Sequence, residues 1–176
     1  MLQAGPRFQL MSKAARVSYV RSFAFGVEDG LVSTVGLLAG VSTADVSRRD
    51  ILITGAILIV VEAFSMATGS FLSESEAETY ESGHTTVRRP IVDGVIMFFS
   101  YFLAGLLALM PYILFETKMA FPISIIVSLV ALAGLGIIGA RISRVNLWKN
   151  AIKMLLVGGV AVAVGIAIGR LLKLAT

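Results

Sequence analysis

Residues 22–41 read SFAFGVEDGLVSTVGLLAGV. A mostly apolar run of this length is what an α-helix needs to cross the roughly 30 Å hydrocarbon core of a bilayer. Yet it carries Glu28 and Asp29. An ionisable side chain at a helix centre costs about 2.5–3.5 kcal/mol on insertion scales, so acids kept there call for a reason. The rest of the chain shows that the run is a membrane span. Of 176 residues, 57% are hydrophobic and 15% charged, and the mean hydropathy is +0.89. Soluble domains carry about 25% charged residues. So little polar surface cannot cover an 18.7 kDa globule. A disordered chain and an ordinary cytosolic enzyme are excluded. The absence of cysteine excludes a disulfide scaffold, a zinc–thiolate site and thiol redox chemistry.

Four further runs meet the length requirement: residues 51–72, 92–115, 121–140 and 151–171. The connections are short except residues 73–91, and no alternating strand pattern suggests a β-barrel. The expected fold is an all-α integral membrane protein, with residues 1–176 forming one transmembrane domain of five helices. Before the first run there is no small-residue cleavage pattern, and the run is too long for a signal peptide, so it is expected to be retained. Residues 8–20 fit either a short amphipathic helix lying on the inner membrane surface or an unstructured tail.

The formal charge is +4 and the pI about 9.7. The basic residues lie in gaps or at span ends, so the positive-inside rule explains them better than nucleic-acid binding does. One side collects Arg7, Lys13, Arg16, Arg21, Arg88, Arg89, Arg141, Arg144, Lys149 and Lys153. The other has Arg48, Arg49, Lys118, Arg170 and Lys173. This places the N-terminus in the cytoplasm and the C-terminus outside. Tyr19, Tyr112 and Trp148 fall near span ends, as interfacial anchors do.

Asp29 lies toward the cytoplasmic end of the first span and Glu62 near the middle of the second, which runs the opposite way. Met66 follows Glu62 by one helical turn, on the same face. Gly26, Asp29, Ser33, Gly36 and Gly40 form one small and polar stripe. Glu62, Met66, Gly69, Ser73 and Glu76 form another. Such stripes are expected to face each other or a partner subunit rather than lipid. Glu28 points about 100° away from Asp29. Asp93 follows Arg89 by four residues, the spacing of a local salt bridge. If the second helix continues past the membrane, Glu74, Glu78 and Glu81 share a face while Glu76 extends the Glu62 stripe. That cluster fits either cation capture at a pore mouth or a solvated helix end. His84, the single histidine, rules out a two-histidine metal motif and reads as a solvated loop residue.

Carboxylates with a thioether suit a first-row metal such as Fe²⁺ over hard Mg²⁺ or Ca²⁺. Asp29, Glu62 and Met66 make an incomplete shell in one chain, whereas two chains about an axis would supply six residues. The carboxylates also offer proton coupling, because a bound cation and a proton compete for them.

Residues 25–37 (FGVEDGLVSTVGL) resemble the first helix of the vacuolar iron transporter family. Residues 62–72 (EAFSMATGSFL) resemble its second-helix signature, a Ser-Met pair followed by small residues. Gly136, Ala140 and Arg141 resemble the end of its fourth helix, and residues 156–161 (LVGGVA) with Gly165 and Gly169 its last. The resemblance covers nearly the whole chain. It implies a homodimer that moves Fe²⁺, and also Mn²⁺, out of the cytoplasm in exchange for protons. It further implies that Asp29 and Met66 line a pathway between subunits and that no cofactor is needed beyond the transported ion. Eukaryotic members carry a pathway Glu two turns before the Met. Leu58 occupies that position here, and Glu62, one turn closer, takes the role. Those members also insert a Glu- and Met-rich cytoplasmic metal-binding domain after the second span. Only residues 73–91 stand there in this chain, which reads as a short form with Glu74–Glu81 as its remnant. A prokaryotic plasma membrane is the expected location. The alternatives are a membrane scaffold with buried structural acids and a transporter of another divalent cation. No nucleophile–base pair suggests an enzyme.

Overall fold

A computed structural model describes residues 6–83 and 87–175, so His84 lies outside the described residues. The chain forms five helices, α1 (Pro6–Thr43), α2 (Arg48–Ser82), α3 (Arg88–Leu114), α4 (Thr117–Ser143) and α5 (Leu147–Ala175). Each contains a stretch long and apolar enough to cross a membrane. The expected spans fall inside these helices, with Phe115 serving as the cap of α3.

The helices run well past the spans. Residues 8–20 form neither a separate surface helix nor a tail, but continue α1 without a break. Residues 73–82 likewise continue α2, which leaves a connection of only residues 83–87. The physical reason is plain in the sequence: no proline lies between Pro6 and Pro90. Gly83 ends α2 at φ 69°, its N–H donating to the Thr79 carbonyl at 2.9 Å. A side chain is strained in that left-handed conformation and glycine is not. At the other end Ser47 caps α2 by accepting from the Asp50 N–H at 3.2 Å.

Helix α1 packs chiefly on α3 and α5, whereas α2 packs chiefly on α3 and touches α1 much less. The small stripe of α1 explains this. Gly26 and Gly30 lie against Ser100 and Tyr101 of α3, while Gly36 and Gly40 lie against Ala161 and Gly165 of α5. A Cβ on Gly165 would collide with the Gly36 carbonyl oxygen, and one on Gly169 with that of Gly40. The expectation that this stripe faces the second helix or another subunit therefore fails for Gly26, which lies against α3, and for Gly36 and Gly40. A matching glycine pair within the same chain covers the latter two. Lipid is as apolar as a leucine side chain, so close backbone approach is what drives such packing.

Leu31, Val35, Ile59, Tyr101 and Leu132 are fully buried between the helices. The opposite face of α2 presents Ile57, Val61 and Phe64 outward, at 58–69% exposure, as an apolar surface. Trp148, 77% exposed, has the surface position of an interfacial anchor. Tyr112 does not: it is buried and pairs with Ser42 at 2.8 Å, joining α3 to α1.

The α1–α5 contact makes a direct prediction. Gly165→Ala forces the two backbones apart and should cost about 1–3 kcal/mol, the range for overpacking a tight contact. Gly159→Ala, with nothing within 4 Å of the added carbon, should instead stabilise by up to about 1 kcal/mol, since alanine is the better helix former. Thermal unfolding of both variants in detergent distinguishes the two outcomes.

Candidate metal pathway

Two grooves open along α1: the first lies between α1 and α2, the second between α1 and α5 with Leu58 of α2 at its edge. One, of about 580 Å³, is lined by Ser22 and Phe25 of α1, Met66 and Ser70 of α2, and Met97 of α3. The other, of about 620 Å³, is lined by Ser33, Gly36 and Gly40 of α1, Leu58 of α2, and Gly165 of α5, and its walls are nearly all apolar. Along α1 the first groove ends at Phe25 and the second begins at Val32, so Asp29 falls between them. Along α2, running the other way, Ser65 bounds one and Leu58 the other, so Glu62 falls between them too.

Asp29 and Glu62 are both half-buried, and Asp29 lies within electrostatic reach of Glu62 and Glu28. Behind them stands Tyr101, fully buried and within reach of both acids. Ser33 donates to the Asp29 carbonyl at 2.6 Å. Its hydroxyl has one hydrogen, so the Tyr101 hydroxyl, 2.6 Å away, is the donor in their pair. This relay fixes the α1 turn that carries Asp29 against α3. Met66 lies beside the acids, in the first groove, and Leu58 in the second.

Sequence reasoning passed over Tyr101 and Met97. A tyrosine deep in a span is itself a signal, since its hydroxyl needs a partner away from water. Met97 precedes it by one helical turn and so shares its face.

The acids beyond Asp29 and Glu62 behave differently. Glu74 and Glu78 turn inward and are buried. Arg89 meets Glu74 at 2.6 Å and Glu78 at 3.8 Å. Ser18 also donates to Glu74 at 2.8 Å, and Arg21 approaches it at 3.3 Å. Glu76 is exposed, and the Glu81 side chain lies outside the described residues. The expected Arg89–Asp93 bridge is absent among the described ion pairs, because the extension of α2 offers Arg89 two carboxylates one turn apart. Asp93 is fully buried and accepts instead from Ser22 at 2.7 Å. Among the described residues, no three His, Cys, Asp or Glu side chains converge as a metal-ligating group.

Five helices long and apolar enough to cross a membrane define an integral membrane protein. Residues 20–89 and 80–170 match the VIT family model, which together cover most of the chain. The chain belongs to the VIT family, and membership places it among membrane transporters, not enzymes. It is similar to "Vacuolar iron transporter homolog 5" of Oryza sativa subsp. japonica, 24% identical over 173 residues, covering 91% of this chain and 83% of the relative. It is also similar to "Vacuolar iron transporter homolog 4" of Arabidopsis thaliana, 29% identical over 162 residues, covering 85% and 81%. A shorter match, 42% identical over 59 residues, covers 34% of this chain and 25% of "Vacuolar iron transporter homolog 1" of Oryza sativa subsp. japonica.

The ion-pair cluster is testable apart from transport. Arg89→Leu removes the cation that Glu74 and Glu78 share and should cost about 3–5 kcal/mol, as breaking a buried pair does. Denaturant unfolding of the purified variant measures this.

Proposed function

We propose that this protein is a secondary transporter that moves Fe²⁺, and also Mn²⁺, out of the cytoplasm in exchange for protons. The N-terminus lies inside, where the excess of lysine and arginine belongs. The observation that carries the reading is the position of Asp29 and Glu62, within electrostatic reach of each other and between the two grooves that run along α1.

One chain leaves the seam between α1 and α2 open on one side and lacks a convergent ligand group among its described residues. A second copy, seam to seam, would close the pathway and double the donor set to two Asp29, two Glu62 and two Met66. Oxygen and thioether donors together favour Fe²⁺ over Mg²⁺ or Ca²⁺. A metal ion entering between the carboxylates displaces protons from them, and its release lets the protons return. Glu76 and Glu81 are the candidates for collecting metal at the cytoplasmic end, joined by Glu74 and Glu78 only if Arg89 withdraws. The 83–87 connection agrees with a single transmembrane domain, a short form without a separate metal-binding insert. In a prokaryotic plasma membrane, this direction of transport is export.

The scaffold reading loses its main support, because Gly36 and Gly40 are occupied by α5. Asp29→Asn and Glu62→Gln should each abolish proton-coupled Fe²⁺ flux in proteoliposomes while leaving the protein folded and dimeric. Undiminished flux in both would overturn the reading. A panel of Fe²⁺, Mn²⁺, Zn²⁺, Co²⁺, Ca²⁺ and Mg²⁺ decides between this assignment and another cation.

A further inference from the structure

The first groove holds more than the pathway methionine. Met97 of α3 lines it together with Met66, although α3 contributes neither of the paired acids. Met97 is 5% exposed, and its sulfur lies against Gly26, where a Cβ would come within 3.2 Å. Ser22, 3% exposed, lines the same groove. It donates its hydrogen to Asp93 Oδ1 at 2.7 Å, which leaves its oxygen lone pairs for another partner. The Asp93 carboxylate is fully buried behind that serine, with Arg89 within electrostatic reach, and it orients the Ser22 hydroxyl. Arg21 also borders the groove, but its guanidinium is drawn 3.3 Å from Glu74.

From this arrangement we infer that the groove is a separate cation waypoint, one step before the acid pair. Met66 and Met97 are its thioether donors, and Ser22, backed by Asp93, is its oxygen donor. A site with two thioethers and few carboxylates selects softer first-row ions, whereas the acid pair alone would accept any divalent ion. Met97 is thus a specificity-determining residue that acts before the ion reaches Asp29 and Glu62. The inference rests on the transport reading for its role in flux, but binding at the groove is measurable without transport.

Two measurements separate these. In proteoliposomes, Met97→Leu should lower the ratio of Fe²⁺ to Mn²⁺ flux several-fold, since Mn²⁺ gains least from a thioether. An unchanged ratio overturns the inference. Separately, methionine methyl groups of the full chain are labelled with ¹³C and Co²⁺, a paramagnetic ion, is added in detergent. The Met66 and Met97 signals should broaden together, at lower Co²⁺ than those of Met110 and Met119, which are 46% and 63% exposed elsewhere. Broadening of Met66 without Met97, or of neither, overturns the inference and leaves the transport reading standing. Wild-type protein that carries no divalent ion, yet broadens at both methionines, overturns the transport reading and leaves the binding site standing. Met97→Ile supplies the signal assignment if Met97→Leu does not fold.

Discussion

The carbonyl oxygens of Gly36 and Gly40 occupy the space where Cβ atoms on Gly165 and Gly169 would sit, and the arrangement of the bundle depends on that contact. It lets the backbones of α1 and α5 touch, which few other residues allow. With α5 on one side of α1 and α3 on another, α2 is left to pack chiefly on α3. The seam between α1 and α2 therefore stays open where Asp29 and Glu62 face it. In water such a gap would tend to collapse on hydrophobic grounds. In lipid, where apolar surface gains nothing by leaving its surroundings, close fit decides which helices meet.

The ionisable residues sort by depth into groups with different work. At one end of the bundle Glu74, Glu78 and Arg89 form a buried ionic knot with Ser18, and the exposed Arg21 reaches it from outside. At the other, Lys173 of α5 pairs with Asp45 after α1. Both tie helix ends together. Asp29 and Glu62, between them, are joined to no cation among the described ion pairs. A carboxylate pair without a permanent counter-charge is free to take one that comes and goes. Burial alone does not make that distinction, for Glu74 is more buried than either of them.

Much of the architecture was legible in the sequence because each span states its own length. Five apolar runs translate into five helices with little need of tertiary information. The acid pair was legible for a related reason: Asp29 and Glu62 stand out where charge is costly. What the sequence did not disclose was pairing. The Gly36–Gly40 stripe reads alike whether it meets α2, α5 or another chain, and only the matching glycines of α5 settle which. The spacing of Arg89 and Asp93 suits a local bridge equally well as the long-range pairing that occurs. Whether Glu74 and Glu78 are solvated depends on α2 running on to Ser82, and helix ends are poorly marked when no proline stops them. Met97 was invisible because methionine in a span is ordinary. It gains meaning only from sharing a groove with Met66.

Helix α2 is unbroken from Arg48 to Ser82. Glu62 and Glu74 thus sit on one stiff rod, about 18 Å apart at 1.5 Å per residue. The rod is fastened along one side and held at its far end by Arg89. Such a member transmits a turn or tilt along its length instead of absorbing it. Release of the ionic knot at one end would therefore turn or tilt the stretch of helix that carries Glu62. Mechanically, the knot and the seam are two ends of one lever.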